Sequence, residues 1–288
     1  MSHEESPLVS SIPSLQLNDG NDMPQLGLVG FRNDSADDTR SIVFDKLDEG
    51  IRHYEVTELF GNGFLVVDCV LAARALPREQ CYFTLKIWPK YRKPSDLVRA
   101  CKDTLSCIGL SYIDLLLMHS PIDMKNRVEQ WKAFEQLKND GLAKSVGVSN
   151  APINYLSKLF KSSLTLPAVV EIEITPFGQR LDLIDVCNDN GILILNSDPI
   201  AKGIKSKHPE LMSIAASLNL STDEIMIRWA ITKGYGVLLP PGNRYLSVNY
   251  DHAFEPLSPE TMRRLRALEE GLKAGWETTE VDSLEDTF

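Results

Sequence analysis

Short runs of β-branched and aromatic residues alternate along the chain with longer stretches in which apolar positions recur at helical spacing. The runs predict strands over Pro24–Val29, Ile51–Val56, Tyr82–Lys86 and Ile113–His119. Four more fall at Ser145–Val148, Ala168–Ile172, Gly191–Leu195 and Tyr235–Leu239. The stretches between and after them predict helices over Ala36–Glu49, Phe64–Ala75, Ser95–Cys107 and Arg127–Asn139. Pro152–Phe160, Leu181–Asn188, Pro209–Lys233 and Ser258–Ala274 complete the set. In the fourth helix Val128, Trp131, Phe134, Glu135 and Leu137 nearly trace one apolar face, and Gly141 is a candidate C-cap. Eight β-then-α units in a chain of 288 residues predict an α/β fold, a single-domain (β/α)8 TIM barrel, over an open doubly wound sheet. A short run at Leu15–Leu17, then Asn18-Asp19-Gly20 and a second run near Met23, predicts an N-terminal β-hairpin at the barrel floor.

Composition narrows the class of partner. Lys and Arg number 30 and Asp and Glu 40, a net charge of −10. Such an acidic chain is poorly suited to nucleic acid or an anionic membrane surface. No apolar run approaches the roughly 20 residues that span a bilayer. The start, MSHEESPLVSS, lacks the basic region of a signal peptide. Five cysteines without CxxC spacing fit reduced thiols in a cytoplasmic protein, and no metal-ligand motif is present. Residues 1–13 read as a flexible tail, 14–275 as the barrel and 276–288 as an acidic C-terminal tail.

Functional groups of such a barrel lie at the C-terminal ends of its strands. There the chain carries Glu55, Lys86, His119, Ser149, Asn150, Glu171 and Asp198. A Lys beside a carboxylate and an imidazole is an acid–base arrangement whose members shift one another's pKa.

The segments MPQLGL (23–28), FTLKIWP (83–89), LSYIDLLLMHSP (110–121) and GLAKSVGVSN (141–150), with Arg228-Trp229 further on, resemble the aldo-keto reductase family over roughly residues 14–272. The resemblance implies reduction of aldehydes and ketones with NADPH. It implies a Tyr that donates the proton, a Lys that lowers the pKa of that Tyr, an Asp that pairs with the Lys, and a His that orients the carbonyl. Lys86 and His119 match the Lys and the His. The segment that carries the Asp and the Tyr reads RHYEVTELFGN here, so Glu55 stands at the Asp position and Phe60 at the Tyr position. Phe60 has no proton to give.

The same resemblance assigns the nicotinamide carboxamide to Ser149 and Asn150, with Glu171 in place of the family's Gln. Ser197 stands where a Tyr stacks on the nicotinamide. Pro241 and Gly242 replace the Lys and Ser that grip the adenosine 2′-phosphate, leaving Arg244 and, near the following helix start, Asn249. Trp88 and Phe31 would line an apolar carbonyl pocket. These departures predict weak NADPH binding and a pseudoenzyme that acts through a protein partner. The alternative is an NADP(H)-dependent oxidoreductase that takes a small carbonyl substrate and uses a non-standard proton donor, with Glu58 or a water in the place of the phenol. A third reading keeps Lys86, His119 and Glu55 for proton transfer without nicotinamide.

Overall fold

The computed structural model describes residues 12–30, 35–57, 63–87, 93–119, 127–240 and 253–274. A hairpin of β1 (Ser14–Gln16) and β2 (Asp22–Pro24) comes first. Gly20 turns it at φ 84°, a conformation glycine adopts without a Cβ penalty. The eight predicted strands follow. They are β3 (Leu26–Leu28), β4 (His53–Thr57), β5 (Tyr82–Ile87), β6 (Ile113–Met118), β7 (Ala143–Ser149), β8 (Val169–Ile172), β9 (Leu193–Asn196) and β10 (Gly236–Leu239). They close into a parallel barrel in which β10 pairs with β3.

Helices α1 (Ala36–Asp48), α2 (Gly63–Asp68), α3 (Pro94–Ile108), α4 (Arg127–Asn139), α5 (Ile153–Ser162) and α6 (Leu181–Asp189) follow their strands in turn. The stretch expected as one helix over Pro209–Lys233 is two, α7 (Pro209–Leu218) and α8 (Thr222–Thr232). Asn219 ends the first in the left-handed region, and Ser221 with Glu224 starts the second with a reciprocal capping box. Two further expectations change. The helix expected to run to Ala75 passes into a π-turn over Cys69–Ala73. The last helix is only α9 (Pro259–Arg266), after which the chain lies back across Phe177. The tails expected at 1–13 and 276–288 fall almost wholly outside the described residues.

Side chains alternate across a strand, so each strand sends every second residue into the barrel. Leu17 and Met23 of the hairpin segment plug the floor, packed with Tyr82, Leu115, Leu117, Val169, Leu195 and Leu238. The opposite faces of the strands pack against the helices in a larger core that includes Trp131, Phe134, Tyr155 and Trp229. Two-residue steps upward from the floor set are decisive. From Tyr82 they reach Thr84 and Lys86, from Val169 they reach Glu171, and from Leu117 they reach His119. The packing of the floor therefore fixes which side chains fill the mouth.

Candidate active site

The mouth is built around Lys86. Its Nζ lies 3.0 Å from Glu55 Oε1 and 2.8 Å from Glu171 Oε1, and all three side chains are buried. Glu55 comes from within β4, because that strand continues to Thr57 and does not stop at Val56. Glu171 comes from β8, two strands beyond the β6 neighbour of Lys86. The other oxygen of each carboxyl, Glu55 Oε2 and Glu171 Oε2, is buried with no hydrogen-bond partner among the described residues.

Two carboxylates and one ammonium sum to −1 in a place closed to water, which is costly unless a proton is taken up. Burial raises Glu55, the Glu171 charge raises it further, and Lys86 only partly opposes them. The group is pushed up to about 8.

Around this cluster His119 follows β6 directly, buried, with its backbone N–H donating to Ile87 O at 3.0 Å. Ser149 ends β7 and pairs in register with Glu171. Asn150 takes the left-handed conformation at φ 53°, its N–H donates to Glu171 O at 2.8 Å, and its Nδ2 donates to Ser149 Oγ at 3.2 Å. Asn tolerates that conformation better than most residues. Ser197 sits half-buried just past β9. Asn196, unremarked in the sequence, ties β8 to β9: its Nδ2 donates to Ile174 O and its Oδ1 accepts from the backbone of Ile174 and Asp198. Burial raises Asp198 from its ordinary value, against the pull of Lys202 and nearby backbone N–H groups.

The structure thus brings together Glu55, Lys86, His119, Ser149, Asn150 and Glu171. Phe31, Phe60, Trp88, Arg244 and Asn249 lie outside the described residues. Glu171, read in the sequence as standing in place of the family's Gln, also lies against Lys86, a contact that sequence reasoning missed. The signal was available: in EIEIT, Glu171 has the inward parity of Val169, and Lys86 is the cation on the facing strand ends.

A primary carboxamide offers one acceptor oxygen and two N–H donors. Ser149 and Asn150 provide donors, and the second oxygen of Glu171 is an acceptor in want of a partner. The described residues therefore fit the nicotinamide end of a dinucleotide. No group of three or more metal-binding side chains occurs among the described residues, and no described helix is long and apolar enough to cross a membrane.

A closed parallel barrel with ionisable groups gathered at the C-terminal ends of its strands is an enzyme-type architecture. The aldo/keto reductase family model matches residues 25–270, and the chain belongs to that family. It is 31% identical over 265 residues to an aldo-keto reductase of Mycobacterium sp. (strain KMS), covering 91% of this chain and 95% of that protein. It is 31% identical over 231 residues to an oxidoreductase of Saccharomyces cerevisiae (strain ATCC 204508 / S288c), YJR096W, covering 76% and 81%. Among solved structures, the Bombyx mori aldo-keto reductase AKR2E4 in complex with NADP superposes with a TM-score of 0.83 at 25% identity, covering 92% of this chain and 95% of that one.

These relatives overturn the expectation of a pseudoenzyme. They are named as reductases and oxidoreductases, and one neighbour of this fold holds NADP. The expectation counted each departure from the family as a loss. It did not foresee that Glu55 and Glu171 close together on Lys86.

Proposed function

We propose that this chain is an NADP(H)-dependent oxidoreductase that reduces an aldehyde or ketone to the alcohol with a proton donor other than a phenol. The observation that carries this is the buried Lys86 held between Glu55 and Glu171, beside His119 and the donors of Ser149 and Asn150. When bound, the dinucleotide supplies hydride to the carbonyl carbon. Ser149, Asn150 and Glu171 hold its carboxamide end. Arg244 and Asn249 meet the 2′-phosphate end, where Pro241 and Gly242 leave fewer charge-assisted contacts and make the grip weaker. His119 orients the carbonyl oxygen and Lys86 stabilises the negative charge that develops on it. Phe31 and Trp88 favour an apolar substituent on the substrate. None of the five cysteines is in a disulfide, which supports a cytoplasmic setting.

Titration of the purified protein with NADPH and NADH, followed by fluorescence and thermal shift, tests the cofactor assignment. Saturable NADPH binding that weakens in Asn150→Ala supports it. Absence of binding to either dinucleotide at about millimolar concentration contradicts it.

A further inference from the structure

We infer that Glu55 and Glu171 hold one proton between their carboxyl groups beside a charged Lys86, and that this shared proton replaces the missing phenol proton in the reaction. The delivery part rests on the reductase assignment; the shared proton does not.

Three features of the geometry carry the inference. Lys86 Nζ has one carboxyl oxygen on either side, at 3.0 and 2.8 Å. Each carboxyl keeps a second, buried oxygen without a partner among the described residues. Among the described residues, the charged groups acting on Glu55 are Lys86 from β5 and Glu171 from β8. The other titratable side chains at the described strand ends are His119, Glu173 and Asp198, and Glu173 is tied by Oε1 to the backbone N–H of Ala274. One proton in the pair makes the cluster neutral: one ammonium, one carboxylate, one carboxylic acid. It also turns one of the two stranded oxygens into a donor for the other carboxyl. The upward push on Glu55 by burial and by Glu171 agrees with this.

Delivery needs no new partner. Lys86 gives a proton from Nζ to the alkoxide oxygen, an O–H bond forms there, and the N–H electron pair stays on nitrogen. The O–H of the carboxyl pair then breaks, its proton passes to Nζ, and its electron pair stays on oxygen. The pair is left as two carboxylates and is refilled from solvent after the alcohol departs. Lys86 is the catalytic residue in this scheme. Glu55 and Glu171 act through it as positioning residues and proton store.

The replacement at position 171 matters as much as the one at 55. A Gln there would donate and accept hydrogen bonds but carry no charge, so Glu55 alone would face Lys86 and ionise. Glu55→Gln and Glu171→Gln are therefore expected to differ: the first removes the carboxyl that holds the proton, and the second leaves Glu55 alone against Lys86.

Infrared difference spectra against pH on the cofactor-free protein test the shared proton. The wild type should show a protonated carboxyl band at about pH 7 that titrates away in the range of about pH 7–9. Glu171→Gln should move that titration to lower pH by at least about one unit, and Glu55→Gln should abolish it. Glu55→Asp, which keeps a carboxyl, should retain the band and guards against a fold defect in the Gln variant.

A wild-type spectrum without the band, or a band unchanged in both Gln variants, overturns the shared proton. With NADPH and a carbonyl substrate, the alkaline fall in kcat should move with the band in Glu171→Gln, and an unmoved limb overturns delivery. A band that behaves as described in a protein with no NADPH-dependent turnover refutes the reductase assignment and leaves the shared proton standing. Turnover without the band does the reverse.

Discussion

Glu55 and His53 sit two residues apart on the inner face of β4 and respond to pH in opposite directions. Glu55 is held at about 8 against an ordinary 4.5, so the folded chain keeps a proton that the unfolded chain gives up over that interval. Stability from this group is full below about 4.5 and falls as pH rises to about 8. His53 is pushed down to about 4 from 6.5, chiefly by burial, with Nε2 2.8 Å from Thr84 Oγ1. Its contribution is full above 6.5 and is lost as pH falls to about 4. Urea unfolding midpoints measured against pH should therefore show a flatter alkaline decline in Glu55→Gln and a flatter acid decline in His53→Asn. A Glu55→Gln curve parallel to the wild type would show that Glu55 is already ionised in the folded protein.

At the scale of the element, Gly147 in β7 shows how tightly the strands meet. A Cβ there would lie 2.5 Å from Val169 O, a backbone atom of β8 that cannot swing aside. Gly147→Ala is expected to cost about 1–3 kcal/mol in denaturant unfolding. It should also weaken NADPH binding, because Ser149 and Asn150 are the next inward residue and its neighbour. An alanine variant as stable as the wild type would mean that β7 and β8 can part.

Elements were also the most legible part of the sequence. All eight barrel strands stand where the apolar runs put them, within about two residues at each end. What escaped were local stops inside longer apolar patterns. The Ser221–Glu224 capping box lay within a stretch whose helical period runs through it, and the period hid the cap. In the site, strand ends alone located Lys86, His119, Ser149 and Asn150 in the mouth. The closeness of Glu171 to Lys86 depends on barrel closure and on the inward parity of strands that are distant in the chain. Neither appears in a motif of a few residues.

At the scale of the whole molecule, the last described segment fastens the barrel. Leu272 and Glu270 donate backbone N–H bonds to Phe177 O, Gln179 Nε2 donates to Arg266 O, and Leu257 and Leu265 are buried. Glu173, two residues beyond Glu171, accepts from Ala274 N. A chain ended before Pro259 loses all of these contacts except that of Leu257. It should unfold at a temperature lower by several degrees, roughly 2–4 °C for each kcal/mol lost in a domain of this size. It should also bind NADPH less well than the full chain, since β8 loses its anchor beyond Glu171. Thermal unfolding at matched concentration checks both, and unchanged melting would place the anchor elsewhere.

The account turns on hydride transfer by a barrel that lacks the family's phenol. NADPH consumption with a panel of aldehydes and ketones, with the alcohol product measured alongside, tests it most directly in the wild type and in Lys86→Met. The expected result is stoichiometric NADPH loss and alcohol formation in the wild type, reduced by about 10²-fold or more in Lys86→Met. No consumption with any carbonyl, or equal consumption by wild type and Lys86→Met, would contradict it.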